Sequence, residues 1–178
     1  MIQLRRITQI DDPALDQLVN LYILSFPEEE RRDLSQLNKM IQSVPNMFFN
    51  AVEMDGELCG LAVYWDFDDF YYLEHLAVFP EKRNHKLGGQ VLNHWRDNLK
   101  KMRIMEVEPA EDELTTRRVK FYQRNGYQIL DKDYVQLSYR KDEGVAPLWI
   151  MASDESEQLP RFVQIIKDKA YREPLKFL

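Results

Sequence analysis

One cysteine, Cys59, stands in a chain of 178 residues. With no partner for an internal disulfide, it fits a reducing compartment. No apolar run approaches the ~20 residues that a bilayer-spanning helix needs. The opening stretch Met1–Asp12 has neither the apolar segment nor the small-residue cleavage site of a secretory signal. A cytoplasmic protein with no membrane partner is therefore expected. Positive charge is also short. The formal net charge is −6, and an acidic surface repels phosphates, so no nucleic-acid partner is expected. His75, His85 and His94 have no metal-ligand spacing with one another or with Cys59, and no metal site is expected. Internal repeats, low-complexity tracts and linkers are absent from the chain.

An apolar fraction of 44% over this length is enough for a real core. The expectation is one domain over residues 1–178, with 155–178 a C-terminal helical extension. Gln3–Ile7 reads as a first strand. Asp12-Pro13 opens a helix as cap and first residue, with Leu15, Leu18, Val19, Tyr22 and Phe26 on its inner face until Pro27. Leu34–Val44 is a second helix. Phe48–Met54 and Glu57–Trp65 flank Asp55-Gly56, a two-residue hairpin signal. Phe70–Phe79 is a further strand, Leu87–Met102 a helix, and Ile104–Glu108 a strand. Thr115–Arg124 is a helix closed by Asn125-Gly126. Tyr127–Leu130, Tyr134–Tyr139 and Pro147–Ala152 read as the last strands, and Leu159–Arg172 as a final amphipathic helix. The order describes an α/β protein: a mixed sheet with helices on both faces.

The chemistry concentrates after the fourth strand. Four of the five residues 82–86 are basic, namely Lys82, Arg83, His85 and Lys86, around Asn84. Leu87-Gly88-Gly89 then starts a helix, whose first turn has unpaired N–H groups and suits phosphate. A solvated basic turn fits the charge pattern equally well. The segment is neither a Walker loop nor the dinucleotide fingerprint GxGxxG.

This segment resembles the acyl-CoA pyrophosphate motif of the GNAT superfamily of N-acetyltransferases. Arg83 matches the leading basic residue, Leu87 the apolar spacer and Gly88 the second glycine. Lys86 replaces the first glycine, and Asn84 stands where glycine is common. Downstream, Phe121-Tyr122-Gln123-Arg124-Asn125-Gly126-Tyr127 is similar to the family's Phe-Tyr-x-x-x-Gly-Phe/Tyr signature. Thr115 replaces the asparagine common seven residues before the tyrosine. The element order agrees with the family from Gln3 to about Ala152.

The resemblance implies a mixed, mostly antiparallel sheet and an acetyl-CoA-dependent N-acetyltransferase. Its acceptor is a small-molecule or peptide amine, attacking the thioester directly. It places pantetheine along Leu76, Ala77 and Val78, and pyrophosphate over Arg83, Asn84, His85, Lys86, Leu87, Gly88 and Gly89. Tyr122 is then the acid for the departing thiolate, against a packing role as a core aromatic. Glu74 is the first choice of base, against a structural carboxylate, ahead of Glu106 and Glu108. The alternative is a CoA-binding regulatory or interaction protein with a degenerate active site, for which Lys86 and Thr115 speak.

Strict alternation sets Glu74 with Tyr72, Leu76 and Val78, and His75 on the opposite face. It also sets Cys59 with Leu61 and Val63 as a buried structural thiol. The run Glu28-Glu29-Glu30-Arg31-Arg32 reads as a solvated loop or as a border of the acceptor pocket. Acidic residues near the site (Asp66, Asp68, Asp69, Glu106, Glu108, Glu111, Asp112 and Glu113) suggest either a cationic acceptor or a solvated rim. The acceptor's identity, the acyl length and the oligomeric state, a homodimer included, stay open at this level.

Overall fold

A computed structural model of the protein describes residues 1–83, 85–141 and 145–178. Its elements are β1 (Ile2–Arg6), α1 (Leu15–Ser25), α2 (Leu34–Ser43), β2 (Met47–Met54), β3 (Glu57–Asp66) and β4 (Phe70–Val78). There follow α3 (Leu87–Asn98), β5 (Met102–Val107), α4 (Glu113–Arg124), β6 (Gln128–Asp131), β7 (Val135–Gln136), β8 (Ala146–Pro147), β9 (Trp149–Ala152) and α5 (Leu159–Ile166). Asp55 and Gly56 both adopt positive φ, 53° and 84°, as a tight hairpin turn requires. Seven strands form one sheet in the order β1-β2-β3-β4-β5-β9-β6, and β7 pairs with β8 separately. All neighbours in the large sheet are antiparallel except β4 and β5. Helices cover both faces, as the sequence leads one to expect. One core joins the sheet to α1, α2 and α5, and the other joins it to α3 and α4.

The parallel pair is short. β4 and β5 align from Phe70↔Met102 to Leu73↔Met105 and then part, although β4 runs on to Val78 and β5 to Val107. The β4 edge over residues 74–78 therefore has no strand partner on that side among the described residues. On its other side, β4 pairs with β3 through a bulge. Val63 faces His75 and Tyr64 faces Leu73, so Glu74 is the extra residue. A bulge shifts the alternation by one. Glu74 and His75 consequently both face the first core, touching Trp65 and Tyr22 respectively, while Leu76 and Val78 pack on the second. The strict-alternation expectation fails here for that reason. It fails again at Cys59, the extra residue of a bulge against β2, which packs in the second core whereas Leu61 and Val63 pack in the first. The thiol is buried, with its carbonyl contact at Glu57 3.4 Å away.

Helix boundaries moved where side chains found other partners. Asp12 caps Ala14 N–H at 2.9 Å but also holds Arg5 at 2.6 Å, and α1 begins only at Leu15. α3 stops at Asn98, because Leu99 is already extended and Met102 enters β5. The final helix is α only to Ile166, then π over Lys167–Arg172 and 3-10 over Glu173–Phe177. No helix among the described residues is long and apolar enough to cross a membrane.

Gly60 has a firm steric reason. A Cβ built there would lie 2.2 Å from the Ala77 carbonyl oxygen on β4, a contact that only backbone movement relieves. Gly60→Ala is expected to destabilise the fold by roughly 1–3 kcal/mol through overpacking. Urea unfolding of the two proteins measures it.

Candidate active site

Where β4 and β5 part, a cleft of about 600 Å³ opens. Its wall includes Glu74, His75, Leu76, Ala77 and Val78 from β4, Glu106 and Val107 from β5, and Thr115, Arg118 and Tyr122 from α4. Pro27, Glu30, Arg83, Glu108, Gln136 and Tyr139 complete much of the rest. Both expected catalytic residues and all three expected strand residues thus share one cavity with Arg83.

The basic loop continues from the mouth of the cleft. Arg83 Nε lies 3.3 Å from the Val78 carbonyl. Neither Arg83 nor Lys86 has an acidic partner among the described residues, whereas Lys82 is paired with Glu57. Lys86 precedes α3 with φ 58°, in the left-handed region where the family motif has glycine. His85 is exposed, its Nδ1 3.2 Å from the Lys82 carbonyl. Leu87 is buried in the second core, at 2% exposure. The glycines that follow bring α3 against α4. A Cβ on Gly88 would stand 3.3 Å from the Phe121 ring, and one on Gly89 3.8 Å from Asn125 Oδ1. The two sequence motifs are therefore in contact. Asn84, the remaining loop residue of interest, lies outside the described residues.

α4 is fixed at both ends by local chemistry. Asp112 accepts the Thr115 N–H at 2.7 Å while Thr115 Oγ1 accepts the Asp112 N–H at 3.1 Å, a reciprocal cap. Gly126, at φ 89°, turns the chain after Asn125. This aims Tyr122 at the cleft. Its hydroxyl has no hydrogen-bond partner among the described residues. Burial raises its pKa, opposed by Arg118, so it stays protonated as a donor throughout the physiological range.

Glu74 is engaged on both oxygens. Arg32 Nη2 donates to Oε1 at 2.7 Å and Trp65 Nε1 to Oε2 at 2.7 Å, and the Arg32 and Glu74 side chains are each 1% exposed. Burial pushes its pKa up, but Arg32, His75 and the hydrogen bonds of Trp65 and Tyr139 outweigh it and hold the carboxyl below its usual range. Arg32 also donates to the Ala170 carbonyl at 2.6 Å. The acidic-basic run is thus divided. Glu30 lines the cleft, but Arg32 is fully buried rather than solvated.

Sequence reasoning ranked Glu106 low, and it missed the surroundings of this residue. Tyr72 donates to Oε2 at 2.9 Å, Gln136 to Oε2 at 2.8 Å, Tyr171 to Oε2 as well, and Tyr134 to Oε1. Burial pushes this carboxyl above its usual range, with Tyr134, Tyr171, Gln136 and Tyr72 pulling it back. No local pattern marks Tyr171, which arrives from the far C-terminal segment. Glu108 pairs with Arg118 at the cleft wall. Among the described residues, no group of three or more His, Cys, Asp or Glu side chains is arranged to hold a metal.

A family model described as the acetyltransferase (GNAT) domain matches residues 45–129, from the end of the α2–β2 connection into β6. A solved GNAT-family structure from Bacteroides thetaiotaomicron is 31% identical, with a TM-score of 0.90 over 95% of this chain and 98% of that one. The chain belongs to the GNAT family. A curated relative, YjbC of Bacillus subtilis (strain 168), named as an acetyltransferase, is 25% identical over 118 residues, 65% of this chain. The match spans only 57% of that relative's length. A Bacillus subtilis acetyltransferase solved in complex with CoA shares the GNAT fold at 16% identity, with a TM-score of 0.57 over 87% of this chain and 98% of that one.

His75 gives this GNAT cleft a pH-dependent stability. Its ring lies 4.3 Å from that of Phe26 and 5.1 Å from that of Tyr22. Burial pushes its pKa down from 6.5 to about 4, Glu74 opposing and Arg32 adding to the effect. Between those values the unfolded chain binds more protons than the folded one, so stability rises with pH across this window. The full effect is roughly 3 kcal/mol. Glu106, raised rather than lowered, works in the opposite sense, so the comparison must be differential. Urea unfolding from about pH 4 to pH 7 should show His75→Gln with a flatter rise than the unsubstituted protein.

Proposed function

We propose that the protein moves an acetyl group from acetyl-CoA to a primary amine of a small molecule or peptide. What carries this reading is that the unpaired β4 edge and the Tyr122 side chain line the same cleft. An extended pantetheine arm can join such an edge as a strand would, through the backbone of Leu76, Ala77 and Val78. The pyrophosphate then falls to Arg83, His85 and Lys86 and to the N–H groups opening α3 at Leu87, Gly88 and Gly89, with Asn84 in the same loop by sequence. Family membership supports the reaction class, and the buried cysteine is compatible with a cytoplasmic setting.

In the reaction the amine lone pair forms a bond to the thioester carbonyl carbon, and the carbon–sulfur bond then breaks. The amine loses a proton and the departing thiolate takes one. Tyr122 supplies the latter from its unpartnered hydroxyl. Glu74, expected as base, is held ionised by Arg32 and Trp65. Its support in this reading is for an anchor that fixes the bulge and the Arg32 charge beneath the cleft. A CoA-binding protein without turnover is the second reading, favoured by the left-handed Lys86 and by Thr115 being spent on its cap. Release of free CoA with a panel of amines separates the two.

Two outcomes are expected. Acetyl-CoA raises the melting temperature, and Arg83→Ala with Lys86→Ala weakens its binding and flattens the salt dependence. No shift at millimolar CoA would remove the acyl-donor reading altogether. Tyr122→Phe keeps the ring, the melting temperature and CoA affinity, while turnover falls roughly ten- to a thousandfold. Normal turnover in that variant makes Tyr122 a packing residue.

A further inference from the structure

Two strand carboxylates line the cleft, and among the described residues only one of them has a cation. Glu74 faces Arg32 at 2.7 Å. Glu106 receives four donors, all of them neutral: Tyr72, Tyr134, Tyr171 and Gln136. No Lys or Arg pairs with it among the described residues. The donors are also unevenly divided. Three reach Oε2 and only Tyr134 reaches Oε1, while each carboxylate oxygen offers about two lone-pair positions. Oε1 thus keeps acceptor capacity, on a residue that lines the cleft.

An anion held in the interior by neutral dipoles alone is poorly compensated, and a cation brought to it gains strongly. A second polar group in the same cleft is also left without a partner. His75 is 8% exposed, and its Nε2 has no hydrogen bond among the described residues, standing 4.0 Å from Glu74 Oε1. The bulge at Glu74 is what turns this ring into the first core, against Tyr22 and Phe26. The remaining charges on the wall are Glu30, Glu108 and Asp112 against Arg83 and Arg118, and Arg118 is already paired with Glu108. Arg83 belongs to the pyrophosphate end. The end that remains for the acceptor is acidic.

Resting on the acyl-transfer reading, we propose that Glu106 receives the ammonium of the acceptor and takes its proton, so that the acceptor is a small cationic amine without a carboxylate of its own. The ammonium N–H donates to Oε1, where four neutral donors and the buried wall fix the carboxylate. The proton passes to Oε1, the N–H bond breaks, and the freed lone pair attacks the thioester carbon. The carbon–sulfur bond then breaks, with the Tyr122 proton going to sulfur. The nitrogen, still carrying two protons, gives one up through solvent to restore the Tyr122 hydroxyl, and Glu106 returns its own proton to solvent after product leaves. Glu106 is thereby a catalytic residue in the strict sense. Tyr171 is a positioning residue, and it makes the C-terminal segment part of the acceptor site. That segment is tied down independently of Tyr171, through Arg32 to the Ala170 carbonyl, Gln36 to the Pro174 carbonyl at 2.9 Å and Lys39 to the Phe177 carbonyl at 2.8 Å.

The test uses the full chain with 1,4-diaminobutane and tyramine as cationic probes and aspartate and glutamate as anionic ones. Calorimetry on the CoA-loaded protein reads acceptor binding, and CoA release from acetyl-CoA reads turnover. The cationic probes should bind and react, and the anionic ones should do neither. Glu106→Gln should weaken binding of the cationic probes by about tenfold or more, the loss of a charge-assisted hydrogen bond, and should lower kcat as well. CoA affinity should stay unchanged. Tyr171→Phe retains the carboxylate and should raise KM for the amine by about three- to tenfold with little change in kcat. It also serves if Glu106→Gln does not fold. Preference for the anionic probes, no binding of either cationic probe, or variants with unaltered KM and kcat would each overturn the proposal. Failure of acetyl-CoA itself to bind would instead overturn the acyl-transfer reading beneath it.

Discussion

The Arg32 guanidinium and the Glu74 carboxylate meet 2.7 Å apart with almost no exposure to solvent, and four stretches of chain meet with them. Arg32 comes from the α1–α2 connection and Glu74 from the bulge of β4. Trp65 of β3 donates to the carboxylate, and the Ala170 carbonyl of the π-helical turn accepts from the guanidinium. A buried ion pair of this kind adds little net stability, because desolvation of both charges offsets their attraction. Removing one partner is different, since the other is then left charged in the interior. The pair acts as a registration device. It fixes the C-terminal segment and the bulge relative to one another, and the bulge lines the cleft.

The bulge in turn explains why the sheet and the site were not equally legible from sequence. Strand existence, the Asp55-Gly56 turn, the α4 stop at Gly126 and the contact between basic loop and glycine-started helix all follow from local chemistry. Side-chain direction along β4 does not. Periodicity of two predicts that His75 points away from Glu74, and one extra residue reverses that for everything beyond it. Nothing in the Leu73–Leu76 stretch announces the insertion, because it is set by pairing with β3. Cys59 repeats the lesson one strand earlier.

Charge patterns misled in a similar way. Glu28–Arg32 has the composition of a solvated loop, and Glu28 to Glu30 largely behave as one. Arg32 lies at the very end of the same run and is 1% exposed. Its Nη1 has no partner among the described residues, and its Nη2 donates to groups about 40 and about 140 residues further along the chain. Long-range satisfaction of this sort leaves no local signature. The same holds for Tyr171, whose hydroxyl reaches β5 from a segment that lies beyond the matched family region.

Extra chain beyond the shared core therefore has a physical use here. A cleft between splayed strands offers backbone along one wall but leaves the opposite wall to whatever side chains the rest of the chain can bring. β7 supplies Gln136, the approach to it Tyr134, and the π-helical turn Tyr171, three elements converging on one carboxylate of β5. π turns recur at functional sites because the added residue per turn reorients side chains that an α-helix would hold in place. In this chain the turn presents Ala170 to Arg32 through its backbone and Tyr171 to Glu106 through its side chain, two adjacent residues serving the two buried acids of the cleft. One of those acids is neutralised from within the fold. The other is held in place by dipoles and left for a cation from outside, and that asymmetry separates the scaffold of the pocket from its recognition surface.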